Sequence, residues 1–170
     1  MITHYKNMNP DTDKALFIAP SADIIGSVSL GSDTSIWFNA TIRGDMAPIT
    51  IGDESNIQDN TVIHVNAGMP THIGKQVTVG HAAIIHACTI GDGALIGMGA
   101  IILDEAIIGK ECLVAAGALV PPRKVYPPRS LIMGSPAKAV RTLTDEEVKD
   151  MYSNTKHYVE KGKQYRSQSM

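Results

Sequence analysis

IGDGALIGMGAIILDEAIIGKECLVAAGALV, residues 90–120, returns an aliphatic residue at every sixth position: Ile90, Ile96, Ile102, Ile108, Val114 and Val120. Four residues after each of the first five markers comes a small one, Ala94, Ala100, Ala106, Cys112 and Ala118, and Gly91, Gly97 and Gly109 follow their markers directly. A period of six fits neither a 3.6-residue helix nor a plain two-residue strand. It fits short strands separated by tight, glycine-containing corners. The same rule extends back through Ile73, Val79 and Ile85, through Ile51, Ile57 and Ile63, and through Ile24, Leu30, Ile36 and Ile42, with three slips of phase. The chain is therefore expected to wind as a parallel β-helix, in which stacked short repeats bury continuous columns of like side chains.

That architecture accounts for an unusual composition. Of 170 residues, 44% are apolar, yet only 5 Tyr, 2 Phe and 1 Trp are present. One domain with an aliphatic core is the expectation. Four aromatics, Tyr5, Phe17, Tyr126 and Tyr165, fall outside the hexads as read here, and Trp37 has no evident role. The window Ala82–Leu103 has Asp92 as its only formal charge, but its short Gly and Asp period speaks against a membrane span. A net charge of −2 excludes a sequence-wide nucleic-acid footprint. Cys88 and Cys112 form no C-x-x-C pair and read as buried thiols of a cytoplasmic protein. The start, Met-Ile-Thr-His-Tyr-Lys, lacks a signal-peptide pattern.

The hexads resemble the left-handed hexapeptide-repeat β-helix superfamily over about residues 17–135. That resemblance, and not the period, implies left-handed winding with three hexads per triangular coil. Three segments follow: residues 1–16, a β-helix over 17–135, and a C-terminal loop and helix over 136–170. Pro121-Pro122-Arg123 and Pro127-Pro128-Arg129 are expected to break the repeat after Val120. Thr144 with Glu147 reads as a capping box opening a helix from about Asp145 to Gln164, with Val148, Met151, Tyr152, Thr155, Tyr158 and Val159 facing the β-helix.

With three hexads per coil, markers three apart lie above one another. Ile24, Ile42, Ile63, Ile85, Ile102 and Val120 share a face, and the residues after them place Arg43, His64 and His86 in one column. On a second face Asp59 falls in line with His81. Three such histidines match the open three-ligand set of a catalytic zinc. Within one chain, however, His81 turns away round a corner. The simplest convergence takes His64 and His86 from one subunit and His81 from a neighbour, in a closed ring of three copies. The phase slips fall in Arg43–Thr50, Val65–His72 and Ile85–Ile90, all beside these positions, and the two insertions are expected to be loops shaping a site.

Arg43-Gly44-Asp45, Asn56-Ile57-Gln58-Asp59-Asn60, Val62-Ile63-His64 and the run Gly80–His86 together resemble the γ-class carbonic anhydrase family. The resemblance implies His64, His81 and His86 as ligands of Zn²⁺, with Fe²⁺ or Co²⁺ tolerated, at a site shared between subunits of a homotrimer. It implies Arg43 pairing with Asp59 at the boundary, Gln58 on the metal-bound water, Asp45 beside it, and reversible hydration of carbon dioxide to bicarbonate. The glutamates that assist proton transfer in archetypal members are missing, since Met46 follows Asp45 and residues 65–71 hold no carboxylate. Hydration is therefore expected to be slow. Tyr158, with Asn154 one turn earlier, is the substitute the resemblance suggests. His72, in the second insertion, could line the site. The competing readings are a coenzyme-A-dependent acyltransferase of the same repeat class and a non-catalytic metal-binding trimeric scaffold. No nucleic acid or membrane partner is expected.

Overall fold

The computed structural model describes residues 1–168. The hexads form a left-handed parallel β-helix of triangular section. One face stacks Val62–His64, Ile84–His86, Ile101–Ile102 and Leu119–Val120 in parallel register, with Ile63 over Ile85 and His64 over His86. Another carries Thr71–Ile73, Thr89–Ile90, Ile107–Ile108 and Val125–Tyr126. The third runs from Phe17–Ile18 through Ser35–Ile36, Asn56–Ile57, Thr78–Val79, Leu95–Ile96 and Leu113–Val114 to Ser130–Gly134. The marker residues point inward; Ile24, Ile36, Ile42, Ile57, Ile63, Ile85, Ile96, Ile102 and Ile108 are fully buried. The small residues four positions on sit at the corners, where Ala83, Ala94, Ala100 and Ala106 are also buried.

Most corners turn through a left-handed residue three positions after the marker. Asp33, Asn39, Glu54, Asn60, Gln76, Ala82, Glu105 and Glu111 all have φ between 56° and 61°. The αL region costs an ordinary L-residue roughly 1–2 kcal/mol, so stacking and corner hydrogen bonds must hold these residues there. Gln76, for example, donates its backbone N–H to the Asp53 carbonyl of the coil below.

The proline-rich segment does not break the repeat. Val125–Tyr126 pairs with Ile107–Ile108, Leu131–Ile132 pairs with Leu113–Val114, and Tyr126 and Ile132 continue the six-residue spacing beyond Val120. Arg123 and Arg129 take the left-handed corner position at φ 59° and 61°. Proline is tolerated there because tight corners favour its fixed φ and the flanking strands are only two residues long. Tyr126 is thus a marker, 6% exposed, its hydroxyl donating to the Ala137 carbonyl at 2.8 Å. At the other end Ile18 stands six before Ile24 and pairs with Ile36, so Phe17 also belongs to the coils.

The slip at Arg43–Thr50 is not a loop. Thr41–Ile51 is one strand bending round a corner against Asp23–Leu30, which fuses two faces into a single sheet. Gly26 and Gly44 permit the close approach, since a Cβ on Gly44 would lie 2.4 Å from the Ser27 carbonyl oxygen. The second insertion is a tight loop closed by a bridge between Asn66 and Met69.

The helix spans Asp145–Gln168, four residues beyond the expected end. The capping box is present: Thr144 donates its N–H to Glu147 Oε2 at 2.9 Å, and Glu147 donates its N–H to Thr144 Oγ1 at 3.2 Å. Val148 and Met151 cover Leu95, Leu113 and Leu131 on the third face, and Thr155 is buried beside them. Trp37 has a clear place. It is 3% exposed, donates Nε1–H to Ser35 Oγ at 3.0 Å, and packs between Phe17 and the helix residues Tyr158 and Tyr165. Cys88 and Cys112 are buried and unpaired, and burial pushes the Cys88 thiol up to about 12.

Candidate functional site

Because His64 and His86 follow stacked markers, their imidazoles leave the same face one coil apart, with His64 Nδ1 3.2 Å from His86 Nε2. Each ring's other nitrogen meets a carboxylate. His64 Nε2 lies 2.9 Å from Asp45 Oδ1, and His86 Nδ1 bonds Asp104 Oδ1. Arg43 closes one end of the chain by donating to Asp45, and the Asn66 amide donates to Asp104 Oδ2 at 3.3 Å at the other. Burial opposes the charge on Asp45, but hydrogen bonds from His64 and Arg43 and the guanidinium charge outweigh it and hold its carboxyl below the usual range. The hydrogen bond from His86 does the same for Asp104, against a smaller opposing effect of burial.

Three nitrogen contacts, Asp45–His64, His64–His86 and His86–Asp104, need three protons to be hydrogen bonds, and two neutral imidazoles bring two. The row can therefore take up, hold and pass on one proton. That is the chemical capacity of a general acid–base site.

His81 stands apart. Its Nδ1 lies 2.9 Å from Asp59 Oδ2, on the third face. Beside it is a cleft of about 390 Å³ lined by Gln58, Thr78, Asn154 and Tyr158 and, on the apolar side, by Leu95, Met98 and Leu113. Gln58 is 5% exposed and donates to Asn56 Oδ1 at 3.1 Å; Asn154 donates to Thr78 Oγ1 at 3.4 Å. Burial first, and the nearby charge of Asp59 second, raise the Tyr158 hydroxyl above its ordinary value. Gln58, Asp59, His81, Asn154 and Tyr158 thus gather in one place, and Arg43, Asp45, His64 and His86 in another.

Among the described residues no three His, Cys, Asp or Glu side chains are placed to hold a metal ion, so the anticipated Zn²⁺, Fe²⁺ or Co²⁺ set does not form in this chain. The reason is geometric. Metal–nitrogen bonds of roughly 2.0–2.1 Å require convergence, whereas the prism corner keeps His81 on another face, against Asp59, and the outer nitrogens of His64 and His86 are taken by Asp45 and Asp104. Arg43 and Asp59, expected to pair across a boundary, each have a partner within the chain, Asp45 and His81 respectively. His72 joins neither group; its Nδ1 lies 2.7 Å from Thr50 Oγ1. Sequence reasoning missed Asp104 and Asn66. Asp104 belongs to no motif, and the one available signal was its place in the coil stacked on that of His86.

A family profile described as "Bacterial transferase hexapeptide (six repeats)" matches residues 87–122. The chain is 47% identical to a protein named "Carbonic anhydrase" from Geobacillus kaustophilus, over 98% of this chain and 92% of that protein. It is 52% identical to "Uncharacterized transferase YtoA" of Bacillus subtilis, over 98% and 97% of the two chains. Among solved structures it is similar to a Bacillus cereus protein described as a putative acetyltransferase, product of the BC4754 gene, with TM-score 0.94, 45% identity and coverage of 98% and 96%.

Proposed function

From a chain that belongs to the hexapeptide-repeat β-helix enzyme superfamily, whose members include both carbonic anhydrases and acetyltransferases, we propose a carbonic-anhydrase-like activity, the reversible addition of water to carbon dioxide. The observation that carries this reading is the 47% identity, over nearly the whole of both chains, with the Geobacillus carbonic anhydrase. The His64–His86 row supplies a chemistry that suits it. Water adds through oxygen to the carbon of carbon dioxide and gives up a proton to an imidazole as the carbon–oxygen bond forms, leaving bicarbonate. The proton then leaves along the row to solvent. Asp45 and Asp104 orient the rings, and Arg43 holds Asp45. General-base assistance is worth about 10²–10⁴-fold, which places the expected rate well below that of an efficient hydratase.

The reading includes a ring of three copies. Val62 and Ile84, 41% and 40% exposed, point outward from the face that carries His64 and His86, and a closed ring covers such a face on every copy. In the ring, His81 and Asp59 of one copy approach the histidine row of the next.

Acyl transfer is a second reading, favoured by the likeness to the Bacillus cereus putative acetyltransferase and by His81–Asp59, an imidazole held by a carboxylate as a general base requires. Stopped-flow hydration of carbon dioxide and a titration with acetyl-coenzyme A separate the two. Hydration above the buffer rate, lost at least tenfold in His64→Ala, is the expected result. A rate equal to buffer, with saturable binding of acetyl-coenzyme A, sinks the first reading in favour of the second.

A further inference from the structure

His72 belongs to neither residue group of the candidate site. It lines a separate cleft of about 330 Å³ on the second face, within the range of pockets that hold small molecules, roughly 300–1,000 Å³. That face carries neither the histidine row nor the helix. The coils build the cleft by register. Thr89 stacks directly on His72 and Ile107 on Thr89, while their strand neighbours Thr71, Ile73, Ile90 and Ile108 are buried. Glu105 lines the cleft from the adjoining corner, where its backbone N–H donates to the Ala87 carbonyl at 2.7 Å. Met69 and Pro70, from the second insertion, and Ile107, 43% exposed, supply an apolar wall.

The polar groups of this cleft are acceptors. Glu105 is the one carboxylate in the lining and has no ion-pair partner among the described residues. Arg123 holds the same corner one coil on but does not line the cleft. The Thr89 hydroxyl is likewise without a partner among the described residues. His72 Nδ1 meets Thr50 Oγ1 at 2.7 Å, and donating its proton to that hydroxyl leaves Nε2 with a lone pair. A carboxylate, a hydroxyl oxygen and an imidazole nitrogen together suit a group with three donors and no acceptor, which is a primary ammonium. We infer that this cleft is a binding site for a small primary amine, with its ammonium between Glu105, Thr89 and His72 and its aliphatic chain against Met69, Pro70 and Ile107. An anion would meet the Glu105 charge, and a neutral ligand would take that carboxylate out of water with no counter-ion. The site uses no residue of the histidine row or of the His81 group, so it stands apart from the hydration reading.

The test is titration of the full-length protein with n-butylamine in phosphate buffer near neutral pH, followed by two-dimensional NMR of the backbone amides. Saturable shifts centred on Gly68, Thr89 and Ile107 are expected. Butan-1-ol keeps the chain and loses the charge, and tetramethylammonium keeps the charge and loses the donors; each should bind about tenfold more weakly than butylamine. From ethylamine to hexylamine affinity should rise about twofold per methylene, half the gain of full burial because the wall covers one side of the chain. Glu105→Gln removes the charge and keeps the shape, and Gln76 already holds such a corner at φ 56°. Affinity for butylamine should fall about tenfold in this variant. Thr89→Val, made on the exposed side of its strand, should weaken binding about threefold and keeps the test intact should the corner substitution disturb the fold. Butan-1-ol or tetramethylammonium binding as tightly as butylamine, unchanged affinity in Glu105→Gln, or shifts centred on His64 and His86 overturns the proposal. Carbon dioxide hydration measured on the parent protein reports the histidine row separately, so either idea can fail alone.

Discussion

Asp104 orients the His86 end of the histidine row. Its carboxylate accepts from His86 Nδ1 and so directs Nε2 of that ring toward His64. An asparagine in its place keeps the shape but can present an N–H where the imidazole needs an acceptor, and the ring then loses the tautomer that serves the row. Asp104→Asn is expected to lower the hydration rate by about 10–100-fold, the usual effect of removing an orienting partner, with circular dichroism unchanged. An unaltered rate would remove Asp104 from the machinery. Little at this scale was legible beforehand. The His64 and His86 column follows directly from the marker spacing, because a fixed period fixes which side chains stack. Asp104 and Asn66 join it through side-chain reach across coils, which a periodicity does not record. Trp37 was equally silent in the sequence, since its partners Phe17, Tyr158 and Tyr165 come from the two ends of the chain.

The short strands owe little to local propensity: most are two residues long and exist because each coil supplies the hydrogen bonds of the next. Their period was therefore readable, while their ends were not. Tyr126 escaped notice because an aromatic takes a place that elsewhere is aliphatic, and because two Pro-Pro pairs look like a stop when they are in fact corners. The helix is the one element with a conventional start signal, and Thr144 and Glu147 form it as read. Glu147 also accepts from Arg141, and that bond first, then the Thr144 N–H, lower its carboxyl from 4.5 to about 2. A depressed folded-state pKa contributes stability that is fully present above the unfolded value near 4.5 and is lost as pH falls through about 2. The helix N-terminus is thus expected to loosen between pH 4.5 and 2, seen as faster hydrogen exchange at the Thr144 and Val148 amides. Glu147→Gln should exchange at the faster rate already at pH 7. Exchange in the parent that stays flat over this window would assign the cap no such role.

For the whole molecule, the outward faces of the prism decide what the fold can do. The helix covers the third face through Val148 and Met151, whereas the face of the histidine row exposes Val62 and Ile84 in adjacent coils, with Ile101 half-buried above them. Apolar side chains in a ladder beside a polar row are better placed against another copy than against water. In a heterologous ring every copy offers this face and receives a different one, so each site draws on two chains. This leads to a complementation test that no single-chain site can pass. His64→Ala disables the row of its own chain, and His81→Ala removes what that chain gives its neighbour. Neither variant alone should hydrate carbon dioxide above buffer. After the two are mixed, unfolded together and refolded, some junctions pair an intact row with an intact His81, and a fraction of the parent rate, near one quarter if copies assort at random, should return. Ile84→Glu introduced into both variants should prevent the recovery and shift the mass in solution, measured by light scattering, toward the single chain. Recovery that survives Ile84→Glu would mean that the copies meet through another face, and no recovery at all would confine the site to one chain.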